Sequence, residues 1–260
     1  MAVKDNSTVR WFNSDMPGAP VLCGQPGSMI DIMDACLING FGTATPDGNK
    51  ITISGGVATV EFSGGNDFEK HAVVEIAGAT PADLNDVWRI DSATATTFSF
   101  ACPDIPDGNA TGSITVKRAS TGGWEKAYSG TNKAAYRSTA PGATGFFFRF
   151  DDTLNQEVKV RGFEAMQDID TGTNPFPTEA QKGGSGPMWP KSNVANATPR
   201  NWWLVADDRF LYFFPAMSSN WAFTFEAFLL GDFLLIGTPE AANAILHASK
   251  GYLLSYPAHN

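Results

Sequence analysis

The sequence predicts a mainly β protein, built as a discontinuous β-sandwich-like host domain with one short helix and an inserted small β-barrel module. Three observations carry that prediction. The 260 residues include 26 Gly and 16 Pro, which supply turns at short intervals. Charged residues reach only 17% while aromatics reach 12%, a composition that excludes intrinsic disorder, where aromatics are few and charge is dense. Apolar residues alternate in short runs along most of the chain, which is the side-chain period of a strand.

The first element is a short strand, Thr8 to Asn13, stopped by Met16-Pro17-Gly18-Ala19-Pro20 because proline removes a ladder donor and glycine frees the backbone. The period then changes to that of a helix. Met29, Ile32, Met33, Cys36 and Leu37 fall at i, i+3, i+4, i+7 and i+8, with Ser28 placed as N-cap, Asp31 and Asp34 early, and Asn39-Gly40 as the closing cap. This stripe is expected to pack on a sheet.

Residues 43–119 have a different texture, rich in Thr, Ala and Gly and poor in large aromatics. Strands are expected at Lys50 to Ser54, Val57 to Ser63, Ala72 to Ala77, Val87 to Ala93, Thr97 to Ala101 and Gly112 to Lys117, separated by Gly-Gly, Gly-Ala-Thr-Pro and Pro-Asp-Gly turns. Six short strands in so few residues fit a small barrel or sandwich. The flanks Thr43 to Asp47 and Ala119 to Gly123 read as linkers, which leaves residues 1–42 and 124–260 as the host.

Large aromatics return at Trp124. Strands are expected at Trp124 to Tyr128, Ala134 to Ser138, Gly145 to Phe150, Glu157 to Phe163, Trp202 to Val205, Arg209 to Pro215 and Ala222 to Leu230. Phe146-Phe147-Phe148-Arg149-Phe150 alternates imperfectly, so both faces of that strand should be covered. From Asp168 to Pro199 no period holds, apart from a helical turn at Thr178 to Gln181, and the stretch reads as a long functional loop.

A formal charge of −9 without any stripe of Lys and Arg argues against nucleic acid as a partner. The start carries no apolar core of a secretory signal, and Trp221 to Ile236 is too short and too acidic to span a membrane. Cys23, Cys36 and Cys102 match no zinc spacing and are expected as buried thiols in a reducing cytosol. With three scattered histidines and no HExxH, CxxC, P-loop or GxSxG motif, no catalytic residue, metal ligand or cofactor site is assigned. Carboxylates pair at Asp151-Asp152, Asp168 with Asp170, and Asp207-Asp208; the first and last stand where a strand meets a turn, and Asx hydrogen bonding is the expected role ahead of a cation site or catalysis. Trp189, Trp202, Trp203 and Trp221 remain as candidates for core packing, for an assembly or partner contact, or for stacking on a glycan.

Longer strings are more specific. Val9-Arg10-Trp11-Phe12-Asn13-Ser14-Asp15-Met16-Pro17-Gly18-Ala19-Pro20, the helix region Met29 to Phe41, Gly123-Trp124-Glu125-Lys126, Arg149-Phe150-Asp151-Asp152-Thr153, Gly162-Phe163-Glu164-Ala165-Met166, Trp189-Pro190-Lys191-Ser192 and Asp207-Asp208-Arg209 occur in an order that resembles a family of tailed-bacteriophage virion structural proteins. The inserted module, with Val73 to Pro81 and Trp88-Arg89-Ile90, is similar to the small β-barrel of the first catalytic-cysteine half-domain of ubiquitin-activating enzymes. The resemblance implies a non-enzymatic subunit of the virion, in tail, baseplate or tail fibre, assembled in the host cytoplasm. Its implied partners are other phage structural proteins and further copies of itself. A capsid decoration or head-fibre protein and an adhesin for host surface glycans are the alternatives.

Overall fold

A computed structural model describes residues 9–181, 187–218, 226–232 and 244–249. In chain order the elements are β1 (Arg10–Asn13), helix α1 (Ser28–Met33) running into a π-helical turn (Asp34–Asn39), β2 (Phe41–Ala44), β3 (Ile51–Ser54), β4 (Val57–Glu61), β5 (Val73–Thr80), β6 (Val87–Arg89), β7 (Ser92–Ala93), β8 (Thr97–Ala101) and β9 (Gly108–Arg118). There follow β10 (Trp124–Gly130), β11 (Lys133–Ser138), β12 (Phe147–Asp151), β13 (Glu157–Met166), β14 (Gly172–Phe176), β15 (Met188–Pro190), β16 (Trp202–Ala206), β17 (Phe210–Pro215), β18 (Ala227–Asp232) and β19 (Ala244–Ser249). The fold is mainly β, and the ladders among β2 to β19 are antiparallel, as in β5 with β9, β12 with β13 and β17 with β18. The chain forms two compact units, one chiefly Asn39–Ser120 and the other chiefly Ala19–Ile38 with Thr121–Asn260.

The first unit is a curled sheet in the order β6-β5-β9-β3-β4-β8-β7. Its two end strands, β6 and β7, are consecutive in the chain, so one segment pairs with β5 at one end of the curled sheet and with β8 at the other. The expected single strand Val87 to Ala93 is this interrupted pair. Strand β9 serves three partners: Gly108 to Ala110 pair with β3, Thr111 to Arg118 pair with β5, and β2 joins its later half. The turn of the sheet is made where β5 bulges at Gly78, with φ +75. Alternate residues point inward from every strand, among them Ile51, Ile53, Val60, Val74, Ile76, Phe98, Phe100, Ile114 and Val116. Trp88 stacks on Phe100 at 4.8 Å and donates its indole N–H to Leu84 O at 2.9 Å, which satisfies the buried polar atom.

Of the two flanks expected as linkers, Ala119 to Gly123 contains the boundary between the units, at Ser120, whereas Thr43 to Asp47 lies within the first unit. Residues 43 and 44 belong to β2, which pairs with the far half of β9 through Phe41↔Arg118 and Ala44↔Val116. On the other flank Ala119 N donates to Val73 O at 3.0 Å and Thr121 N to Cys36 O at 2.9 Å. Gly and Thr there suggested slack chain, but the backbone groups are claimed by neighbouring strands and the helix end.

The second unit holds two sheets, β1-β16-β17-β18-β19 and β10-β11-β12-β13-β14, with β15 added along the early part of β13. They face one another through aromatic rings: Trp189 of β15 stacks on Phe228 of β18 at 4.7 Å, and Phe150 of β12 meets the Trp189 edge at 5.5 Å. Strand β12 lies between β11 and β13, with Phe148 and Phe150 on the inner face and Phe147 in a smaller cluster with Ala135, Met166 and Tyr128 on the other. Both faces are covered, as its imperfect alternation predicts. The long loop expected from Asp168 to Pro199 is corrected in part, since β14 and β15 lie inside it and pair with β13 as Gly162↔Phe176 and Val158↔Trp189. The turn expected at Thr178 to Gln181 is present, closed by Gln181 N to Thr178 O at 3.1 Å.

Met29, Ile32, Met33, Cys36 and Leu37 are all buried, so the apolar stripe of the helix packs as its spacing requires. Its hydrogen bonding widens to the π pattern from Asp34 onward, and Gly40 at φ +69 ends it. The expected N-cap is corrected: Gly27 holds that position with φ +89, and Ser28 Oγ instead donates to Cys23 O at 2.9 Å.

Candidate functional site

The four candidate tryptophans separate by strand parity. Trp202 and Trp203 are neighbours on β16, so their side chains leave opposite faces. Trp202 is fully buried and donates its indole N–H to Pro20 O at 3.0 Å, whereas Trp203 is half-buried on the outer face. Trp189, placed in a long loop by the sequence, is fully buried between the sheets of the second unit. Trp189 and Trp202 are therefore corrected from partner or glycan contacts to core residues. Trp221 lies outside the described residues.

The outer face of the β1-β16-β17-β18 sheet is the apolar surface that the sequence did not delimit. Ladder pairs place Trp203 beside Phe214, Val205 beside Tyr212, and Tyr212 beside Leu229. Trp11 on β1 is 38% exposed, Val205 36% and Tyr212 45%. The outward positions Trp11, Trp203, Val205, Phe210, Tyr212, Phe214 and Leu229 include no charged residue, although the chain carries a net −9. Adjacent inward positions, Leu204, Leu211, Phe213 and Phe228, are fully buried or nearly so, which fixes the register and hence which residues face outward.

No family model, curated protein or solved structure matches the chain. Its chemistry is therefore argued from its own side chains.

The most concentrated charge in the interior belongs to Asp152 and Lys191, both with no side-chain exposure and in direct contact through Oδ1 and Nζ. Asp152 follows β12 and Lys191 follows β15, and both strands pair with β13. The second carboxylate oxygen of Asp152 accepts the Met29 N–H at 2.8 Å, so this residue does the capping that Ser28 was expected to do. Lys191 Nζ also donates to Gln25 O at 2.6 Å. Burial pushes the Asp152 carboxyl up to about 6, opposed by Lys191 and by the backbone N–H groups of Met29 and Ile30. The expected turn role of Asp152 is thereby corrected.

Its neighbours behave otherwise. Asp151 accepts the Thr153 hydroxyl at 2.6 Å, Asp168 Oδ1 accepts the N–H groups of Asp170 and Thr171 at 2.8 Å each, and Asp207 Oδ1 accepts those of Arg209 and Phe210. These are the turn bonds expected of aspartates at strand ends. Asp170 instead binds Lys133 and Arg149 across the sheet surface.

A second polar group surrounds the start of the π turn. Asp34 accepts the Tyr136 hydroxyl and the Lys126 ammonium, each at 2.7 Å. Burial, followed by the Asp34 charge, raises the Tyr136 hydroxyl well above its ordinary value, so it stays protonated and holds that bond.

In the first unit a cavity of about 340 Å³ is bordered by Phe62, Asn66, Asp67, Phe68, Gly42 and Arg118. The Arg118 guanidinium lies 5.2 Å from the Phe68 ring centroid and donates to Asp67 O at 2.5 Å. All three cysteines are buried, and burial raises the thiols of Cys36 and Cys102, which opposes a nucleophilic role. Among the described residues no group of three or more His, Cys, Asp or Glu comes together to hold a metal ion. No helix among them is long and apolar enough to cross a membrane.

Proposed function

We propose that this chain is a non-enzymatic structural protein of a tailed-bacteriophage particle, associated with tail, baseplate or tail fibre, and that it assembles by burying the outer β1-β16-β17-β18 face against another copy of itself. The observation that carries the reading is the uncharged aromatic face with Trp11, Val205 and Tyr212 exposed. Two copies that each carry a net −9 repel over most of their surface, so a self-contact is favoured where the patch is uncharged and its apolar area leaves water. Many such contacts in a symmetric particle give avidity from modest individual affinities. The ordered sequence strings that resemble virion structural proteins agree with this use.

A glycan platform centred on Trp189 has no support, because that ring is buried. The experiment is mass spectrometry of heads and tails separated from purified particles whose genome encodes the chain. Recovery from tails at a small multiple of three or six copies is the expected result. Recovery from heads at high copy would make the chain a decoration protein, and absence from both fractions would overturn the virion reading.

A further inference from the structure

We propose that Lys191 and Asp152 become joined by an intramolecular amide bond between lysine Nζ and aspartate Cγ, formed inside the folded second unit. The inference is independent of where the chain is assembled. It begins with an anomaly of burial: a lysine side chain with no exposure lies against an aspartate with none. Leaving both charged in such a place is costly, and transfer of one proton from the ammonium to the carboxylate removes both charges at once. Burial raises this carboxyl to about 6, which lowers the cost of placing the proton on it.

The form that can condense is an amine facing a carboxylic acid, reached by one proton transfer within the pair, and the surrounding contacts suit that condensation. Lys191 Nζ is aimed by its bond to Gln25 O at 2.6 Å. The Met29 N–H, 2.8 Å from Asp152 Oδ2, is placed to stabilise the negative charge that develops on that oxygen as Nζ adds to Cγ. The backbones that carry both residues are fixed: Asp152 N donates to Asn132 O at 2.8 Å, Gly27 N to Asp152 O at 3.0 Å, and Lys191 N to Gln156 O at 2.8 Å. Reacting groups held in contact by rigid strands behave as though present at very high concentration.

The step balances without a further reagent. The lone pair of the deprotonated Nζ forms the C–N bond, the Cγ–Oδ1 bond breaks, and Oδ1 departs as water with the acid proton and one proton from Nζ. Oδ2 remains as the amide oxygen and keeps the Met29 bond. Nothing is oxidised or reduced. Neither side chain has any solvent exposure, which keeps bulk water from the product bond. The link would tie the end of β12 to the end of β15 across β13, a covalent staple inside one sheet.

The test is made on the unaltered full chain, purified and then denatured. Its intact mass is expected to fall short of the sequence mass by one water molecule, and Lys191→Arg, whose guanidinium cannot take part, should restore that water. Trypsin should yield residues 150–159 linked to residues 183–200, with no cleavage after Lys191 because its amine is acylated. Linked peptides in most chains support the bond. Free residues 150–159 in most chains, with normal cleavage after Lys191, overturn it and leave the two residues as a buried ion pair.

Discussion

Replacing Trp189 by Ala tests whether the sheets of the second unit are held together at the place the rings indicate. The indole is fully buried, stacked on Phe228 at 4.7 Å with an interplanar angle of 10°, and met edge-on by Phe150 at 5.5 Å. A tryptophan hides roughly 200 Å², which at about 25 cal/mol per Å² is about 5 kcal/mol. Alanine retains part of that, so the expected loss is about 3–5 kcal/mol, a large share of the total stability of an ordinary domain. The loss should appear as a lower midpoint in urea unfolding of the full chain. The ring pair itself is isolated by Trp189→Leu, Phe228→Leu and the double variant, where a coupling of about 0.5–1.5 kcal/mol is expected. A loss under about 0.5 kcal/mol for Trp189→Ala, the size of a surface substitution, would refute the placement and return Trp189 to the candidate partner surface.

The remaining predictions concern other links in the argument. Tyr212→Glu puts a charge in the middle of the uncharged outer face; self-association measured by sedimentation should be lost while stability changes by no more than about 0.5 kcal/mol, and unaltered association would exclude this face. Gly78→Ala places a methyl group 2.1 Å from Ser113 O at φ +75, so the barrel unit should lose about 2 kcal/mol or more in denaturant unfolding; an unchanged midpoint would show that the bulge is not as described. Burial tends to raise the Asp151 carboxyl, yet the Thr153 hydroxyl, Arg149, the Thr153 N–H and Lys133 outweigh it and hold the group below its ordinary value. Its contribution is therefore present above the unfolded pKa of about 3.9 and is lost as pH falls through the lower folded value, so the difference in melting temperature between the protein and Asp151→Asn should be full near pH 6 and close below about pH 4. A gap that widens on acidification would contradict that sign. Asp34→Asn weakens the acceptor shared by Tyr136 and Lys126, and urea unfolding should show a loss of about 1–3 kcal/mol, with no loss if the three groups are not in contact.

The mainly β class, the places of β3 to β8 and the later half of β9, and the stripe that buries Met29, Ile32, Met33, Cys36 and Leu37 were legible in the local pattern, whereas β2 was not. Those features follow from local period: a strand alternates every residue and a helix every three or four, whatever lies across from it. The turn roles of Asp151, Asp168 and Asp207 were legible for the same reason, since their hydrogen bonds reach only two or three residues along the chain. Trp202 and Trp203 marked the limit, because two adjacent aromatics fit either parity and only pairing with Pro215 and Phe214 on β17 decides which ring turns inward. Only long-range pairing settled that Met29 N–H is accepted by a carboxylate 123 positions away, that Lys191 meets Asp152 across 39 positions, and that β6 joins β5 while β7 joins β8. Such contacts depend on which strands become neighbours, a choice made by the burial of whole faces, so no short window of sequence records it.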